Sequence, residues 1–158
     1  MHDERLPVRG DPAVERARAL TRLLDDAIPI PGTRFRIGLD PILGLIPGAG
    51  DLVGGAMSAY LLLVARRAGA PTSVLLRMLG NLAIDSLVGA VPFLGDLFDA
   101  GYKANRRNLG LIERYLDRPA PTRQASRGFV LAALAVVLLI TIGTVTLAVW
   151  LVRLLLSL

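Results

Sequence analysis

Gly128 to Val152 is a run of 25 residues without a single charge. At 1.5 Å per residue a helix of that length reaches about 37 Å, enough to cross a bilayer's roughly 30 Å hydrocarbon layer with some tilt. Trp150 stands near its far end, where aromatic rings favour the membrane–water boundary, and Arg153 follows. The run is expected to be a transmembrane helix over 128–152, entered from a basic linker at 118–127 that holds Arg118, Arg123 and Arg127 with Pro119 and Pro121. Three arginines before the span and one after it place the linker and the N-terminus in the cytoplasm of a cell-membrane protein. The first 36 residues agree: they carry seven Arg and six Asp or Glu, with no apolar core of a signal peptide.

The rest of the chain is also apolar. Hydrophobic residues make up 53% of the whole and charged residues 20%, with a mean hydropathy of +0.55, which is outside the usual range of a water-soluble domain of 158 residues. Sixteen glycines suit close helix–helix approach in lipid. The net charge of +5 comes from basic residues flanking apolar segments, so it reads as a lipid and topology signal. Nucleic-acid binding is not expected, because no basic stretch interleaves with aromatics and no recognition helix is evident. The expected partners are the lipid bilayer, with anionic lipid near the basic linker, and further copies of the chain.

Catalytic chemistry is narrowly bounded. There is no cysteine, which excludes disulfides, thiol catalysis and thiolate-bound metals, and the one histidine is His2. A histidine triad or a histidine-ligated zinc centre therefore cannot be built within one chain. No catalytic residue and no cofactor is expected, and the nature of any metal is open.

Residues 1–10 read as disordered and 11–117 as a helical membrane-associated domain. Asp11-Pro12 marks a helix start, a capping acceptor followed by proline in the first turn. Val14, Ala17, Leu20, Leu23, Leu24 and Ile28 recur at helical spacing, with Arg16, Arg18, Arg22 and Asp25 on the other side, up to Pro29. Such an amphipathic helix could lie on a membrane or pack on the domain. Residues 28–33 read as a connector and Arg34–Ile37 as a short extended piece. A helix is expected from about Pro47 to Ala68, stopped by Gly69-Ala70-Pro71, and a second from Thr72 or Ser73 to about Val91. A third is expected from about Phe93 to Leu116, with Asp99, Lys103 and Arg107 as a helical charge ladder. Gly50 with Gly54, and Gly55 with Ala59, form small-residue pairs for tight contact or self-association. The expected fold class is all-α, with an internal repeat and a C-terminal transmembrane helix.

The repeat has a 45-residue offset. Residues 40–52 align with 85–97 in the pattern D-x-x-[LV]-G-x-[IV]-P-x-x-G-D-L, six of thirteen positions being identical. Asp40 pairs with Asp85, Gly44 with Gly89, Pro47 with Pro92, Gly50 with Gly95 and Asp51 with Asp96, giving repeat units of about 40–68 and 85–116. Proline and glycine interrupt each apolar segment. Interrupted, duplicated segments with embedded carboxylates are what transporters build around ion sites. The plainer reading outweighs this: Asp51 and Asp96 favour the positive ends of helices, Asp40 caps a turn, and Asp85 pairs with an arginine. Arg77, Asn81 and Asp85 stand at i, i+4 and i+8, one polar stripe that must face other polar groups, with Asp40, Asp51, Asp96 and Asp99 available. Polar glue between helices is the preferred reading. A non-enzymatic scaffold, a small ion- or proton-coupled channel or transporter unit, and a metal-dependent membrane enzyme using carboxylates remain the functional alternatives, in that order.

The run D-D-A-I-P-I-P-G-T-R-F-R-I-G-L-D-P-I-L-G-L-I-P-G-A-G-D-L, Asp25 to Leu52, resembles the signature of a prokaryotic family known as domain of unknown function 4112. The run N-L-A-I-D-S-L-V-G-A-V-P-F-L-G-D-L-F-D-A-G-Y-K-A-N-R-R-N, Asn81 to Asn108, resembles that family's second signature. The resemblance covers roughly 15–117 and implies a small membrane-associated helical domain. It implies no activity and no site residues, and it leaves the C-terminal span as an added anchor.

Overall fold

The computed structural model describes residues 10–29, 31–33, 36–39, 43, 46, 49–89, 103–119 and 125–157. Among the described residues five helices carry the fold: α1 (Pro12–Asp26), α2 (Ala49–Arg67), α3 (Thr72–Gly89), α4 (Ala104–Asp117) and α5 (Arg127–Leu156). Two-residue strands β1 (Ile28–Pro29) and β2 (Arg36–Ile37) pair antiparallel, Ile28 opposite Ile37.

The helix ends follow local chemistry. The Asp11 carboxylate accepts a hydrogen bond from the Ala13 amide at 2.7 Å and caps α1, with Pro12 in the first turn. Gly69 stops α2 at φ +77°, a left-handed conformation that glycine adopts without a Cβ clash. The Gly69 and Ala70 amides then bond back to the Arg66 and Ala65 carbonyls, a Schellman-type closure that satisfies the last turn. Ser126 caps α5 by accepting from the Phe129 amide at 3.2 Å.

α2 and α3 form an antiparallel pair at the centre of the molecule. α5 lies along one side of the pair, in contact with both, while α4 lies against the other side and α1 packs on α4 and α2. The core runs through all five helices: Val14, Ala17 and Leu24 from α1, Leu61, Leu62 and Val64 from α2, Leu75, Met78 and Leu82 from α3, Leu109 and Ile112 from α4, and Val130, Ala133 and Val137 from α5. Burial of this set at about 25 cal/mol per Å² of apolar surface is the main force holding the layers together.

Three expectations need correction. The helix expected from about Phe93 to Leu116 is not continuous: Lys103 has φ 49°, and α4 starts afresh at Ala104. Lys103 therefore belongs to no helical charge ladder. Asp25, expected on the outer face of α1, is buried, as is Thr21, while Leu20, Leu23 and Ile28 are exposed. α1 turns Val14, Ala17, Thr21 and Leu24 inward because it must fill the groove between α2 and α4, and one stripe of a helix cannot also carry Leu20 and Leu23.

Candidate functional site

Polar clusters join the described helices of the domain. One links the end of α1, strand β2 and the start of α4. Asp25 is 3% exposed, and its carboxylate accepts from the Arg106 amide at 3.0 Å and from Asn105 Nδ2 at 3.4 Å. A helix's first amides have no partner within the helix, so a carboxylate from α1 acts here as the cap of α4, aided by the positive end of its dipole. Lys103 Nζ spends all three of its protons: on Asp26 Oδ1 at 2.6 Å, the Arg36 carbonyl at 2.7 Å and the Asp25 carbonyl at 2.8 Å. These bonds offset the cost of its left-handed backbone, about 1–3 kcal/mol for a residue other than glycine. Asp26 also faces Arg106 at 3.4 Å, and Arg36 Nε donates to the Asp26 carbonyl at 3.0 Å.

The position of these residues in the chain is informative. Asp25 and Asp26 open the first signature run; Lys103, Asn105 and Arg106 close the second. The fold brings the two runs into one clamp. Sequence reasoning missed it because the charges lie at helix ends, where they read as solvated. The available signal was an adjacent acid pair in one run and K-x-N-R in the other, opposite in charge.

At the other end of the α1–α4 contact, Arg18 bridges Glu113 of α4 at 2.7 Å and Glu15 of its own helix. The hydrogen bonds that Arg18 donates to Glu113, followed by the one it donates to Glu15, hold the guanidinium above its ordinary pKa. A groove beside this bridge is lined by Gly10, Val14, Glu15, Arg18, Glu113, Leu116 and Asp117.

The sequence-derived stripe meets α4 at Asn81. Asn81 Nδ2 donates to Asn108 Oδ1 of α4 at 2.8 Å, and Asn108 Nδ2 donates to the Met78 carbonyl at 3.3 Å. Asn81 thus meets an amide of α4, and this pair joins α3 to α4. Arg77 is exposed and Asp85 half-buried, both on α3. Asp51 sits half-buried in the first turn of α2 and faces Thr144 of α5, whose hydroxyl donates to the Ile140 and Thr141 carbonyls. Asp40, Asp96, Asp99, Gly44, Pro47, Pro92 and Gly95 lie outside the described residues. Gly50 is in the first turn of α2 and Gly89 ends α3. Among the described residues no three Asp, Glu or His converge as a metal site.

α5 joins the domain through one stripe, Val130, Ala133, Val137 and Thr141. Gly55 of α2 lies so close to Thr141 that a Cβ there would collide with its side chain. Leu131, Leu138, Leu139, Ile142, Leu147 and Trp150 are exposed. Among the described helices, α5 is long and apolar enough over Arg127–Leu154 to cross a membrane.

The features so far define a helical protein with one apolar helix of spanning length. The chain belongs to the family described as Domain of unknown function (DUF4112), which it matches over residues 13–116. It is also similar to a protein of Saccharomyces cerevisiae called "Uncharacterized membrane protein YLR326W", with 30% identity over 89 residues, 56% of this chain and 37% of that one. The chain thus spans little more than a third of that relative's length. No solved structure matches the chain.

Proposed function

We propose that this chain is a non-enzymatic protein of the cell membrane that self-associates or scaffolds partners, with its N-terminus in the cytoplasm. The observation that carries the reading is the division of α5: a narrow stripe holds the domain, and the remaining apolar surface is left for lipid or another helix. Orientation is supported by the fold. The Ala125 amide bonds the Ala70 carbonyl and Tyr115 Oη donates to the Gly69 carbonyl, so the end of α2, the start of α3, the end of α4 and the start of α5 lie together. Arg66, Arg67, Arg77, Arg118 and Arg127 thus share one end of the molecule, the distribution expected of a cytoplasmic side. Absence of cysteine and of any histidine but His2 supports the non-enzymatic reading. The test is the number of copies per particle, measured by light scattering in detergent and by photobleaching in vesicles. A single copy at every protein-to-lipid ratio would remove self-association.

One observation favours a second reading, an ion- or proton-coupled unit. The Asp51 carboxyl sits against the middle of α5 at Thr144. An ionisable group beside a spanning helix is a functional candidate. Asp51→Asn and Asp85→Asn in reconstituted vesicles, read by a trapped pH dye, test it: flux equal to wild type in both variants removes it.

A further inference from the structure

We infer that the domain is not tethered above the bilayer by α5 but is partly sunk into it, with the Asp51 end of α2 and the Gly89 end of α3 in contact with acyl chains. The inference rests on the reading that α5 spans, and follows from lengths. α2 and α5 run antiparallel: Ala70 meets Ala125 at one end, and Asp51 meets Thr144 at the other. Both intervals are about 19 residues, about 28 Å of helix. Beyond Thr144 the uncharged run continues only to Val152, where Arg153 bounds it, about 8 residues or 12 Å. The hydrocarbon layer is roughly 30 Å thick, so the uncharged run crosses it only by using about 18 Å that already lie along α2 and α3.

The surface at that end suits lipid. Leu52 of α2 and Ile84 of α3 are exposed there, and so is Ile46 just before α2. The opposite limit is set by the layer on the other side of the α2–α3 pair. Arg16 and Arg22 of α1 and Arg106, Arg107 and Arg114 of α4 are exposed, which keeps that layer in water or among headgroups. Arg67 and Arg77, toward the Ala70 end, remain in water as well. The family domain is therefore an interfacial body, wet at its arginine end and along its α1–α4 side. Lys103, Arg106 and Arg107 on that side stand toward the same end as Asp51, so acyl chains meet that end only on the side of α2 and α3 next to α5.

The cysteine-free chain makes this directly testable. The full-length protein is prepared as single-cysteine variants Leu52→Cys, Ile84→Cys, Arg67→Cys, Arg77→Cys and Ile142→Cys. Each is labelled with an environment-sensitive dye and reconstituted in phosphatidylcholine–phosphatidylglycerol vesicles. Hydrated iodide is excluded from hydrocarbon, so quenching at 52, 84 and 142 should be on the order of fivefold weaker than at 67 and 77, with the reverse order for a doxyl-labelled acyl chain. If 52 and 84 quench with iodide like 67 while 142 stays shielded, the domain sits in water and the inference fails, with the span intact. If 142 is also open to iodide, the span itself fails. If 67 and 77 are shielded like 142, the domain is wholly immersed and the proposed waterline is wrong.

Discussion

Asp25→Ala removes the carboxylate that caps α4 from a neighbouring helix. Removing a helix N-cap acceptor costs about 1 kcal/mol. Here the Arg106 amide and the Asn105 side chain also lose an acceptor inside the protein, and an abandoned buried donor costs about 1–3 kcal/mol. The two overlap, so the combined expectation is about 2–3 kcal/mol. For a chain of 158 residues each kcal/mol lowers the melting temperature by about 2–4 °C, so the loss should exceed about 4 °C. The assay is ellipticity at 222 nm on heating in dodecyl maltoside. Asp25→Asn keeps one acceptor oxygen and should lose less than half as much. A solvated Asp25 on the outer face of α1 would instead give a change within about 0.5 kcal/mol. Melting of Asp25→Ala within about 2 °C of wild type, or equal losses in the two variants, would refute the cap.

Further substitutions probe the packing. Gly38 lies against the Leu24 carbonyl, where a Cβ has no room and the obstacle is backbone, so Gly38→Ala should cost about 3 kcal/mol in thermal unfolding. Gly54→Ala and Gly80→Ala meet nothing within 4 Å and should match or slightly exceed wild type. Gly55→Ala should loosen α5 from α2 by about 1–3 kcal/mol, and adding Thr141→Ala, which removes the obstructing hydroxyl and methyl, should restore most of it. Asn108, 1% exposed and bonded to Asn81 and the Met78 carbonyl, should lose about 1–3 kcal/mol as Asn108→Ala, and more than the partly exposed Arg18–Glu113 pair loses as Arg18→Ala.

What was legible in the sequence was local. The Asp11 cap, the Gly69 stop, the Thr72 start and the apolar run of α5 all act within a few residues, so their signals survive without tertiary context. The extended piece at Arg34–Ile37 was also readable, and β2 occupies its second half. The clamp was not legible, since Asp25 and Arg106 are 81 residues apart and nothing near either says that one helix caps the other. Lys103 reads as a good helix former, and only its three acceptors, drawn from α1 and β2, show why it leaves the helical region. The polar stripe on α3 was legible as a stripe, but the partner of Asn81 was not, because an amide facing α4 can meet a carboxylate or another amide equally well.

Everything about placement depends on α5 separating two aqueous compartments, and sidedness measures that most directly. Arg118→Cys and Ser157→Cys variants of the full chain, both at exposed positions flanking α5, are exposed to a membrane-impermeant maleimide in sealed right-side-out and inside-out vesicles. The account predicts opposite patterns, with Arg118→Cys reacting only in inside-out vesicles and Ser157→Cys only in right-side-out ones. Reaction of both positions from the same side would contradict it.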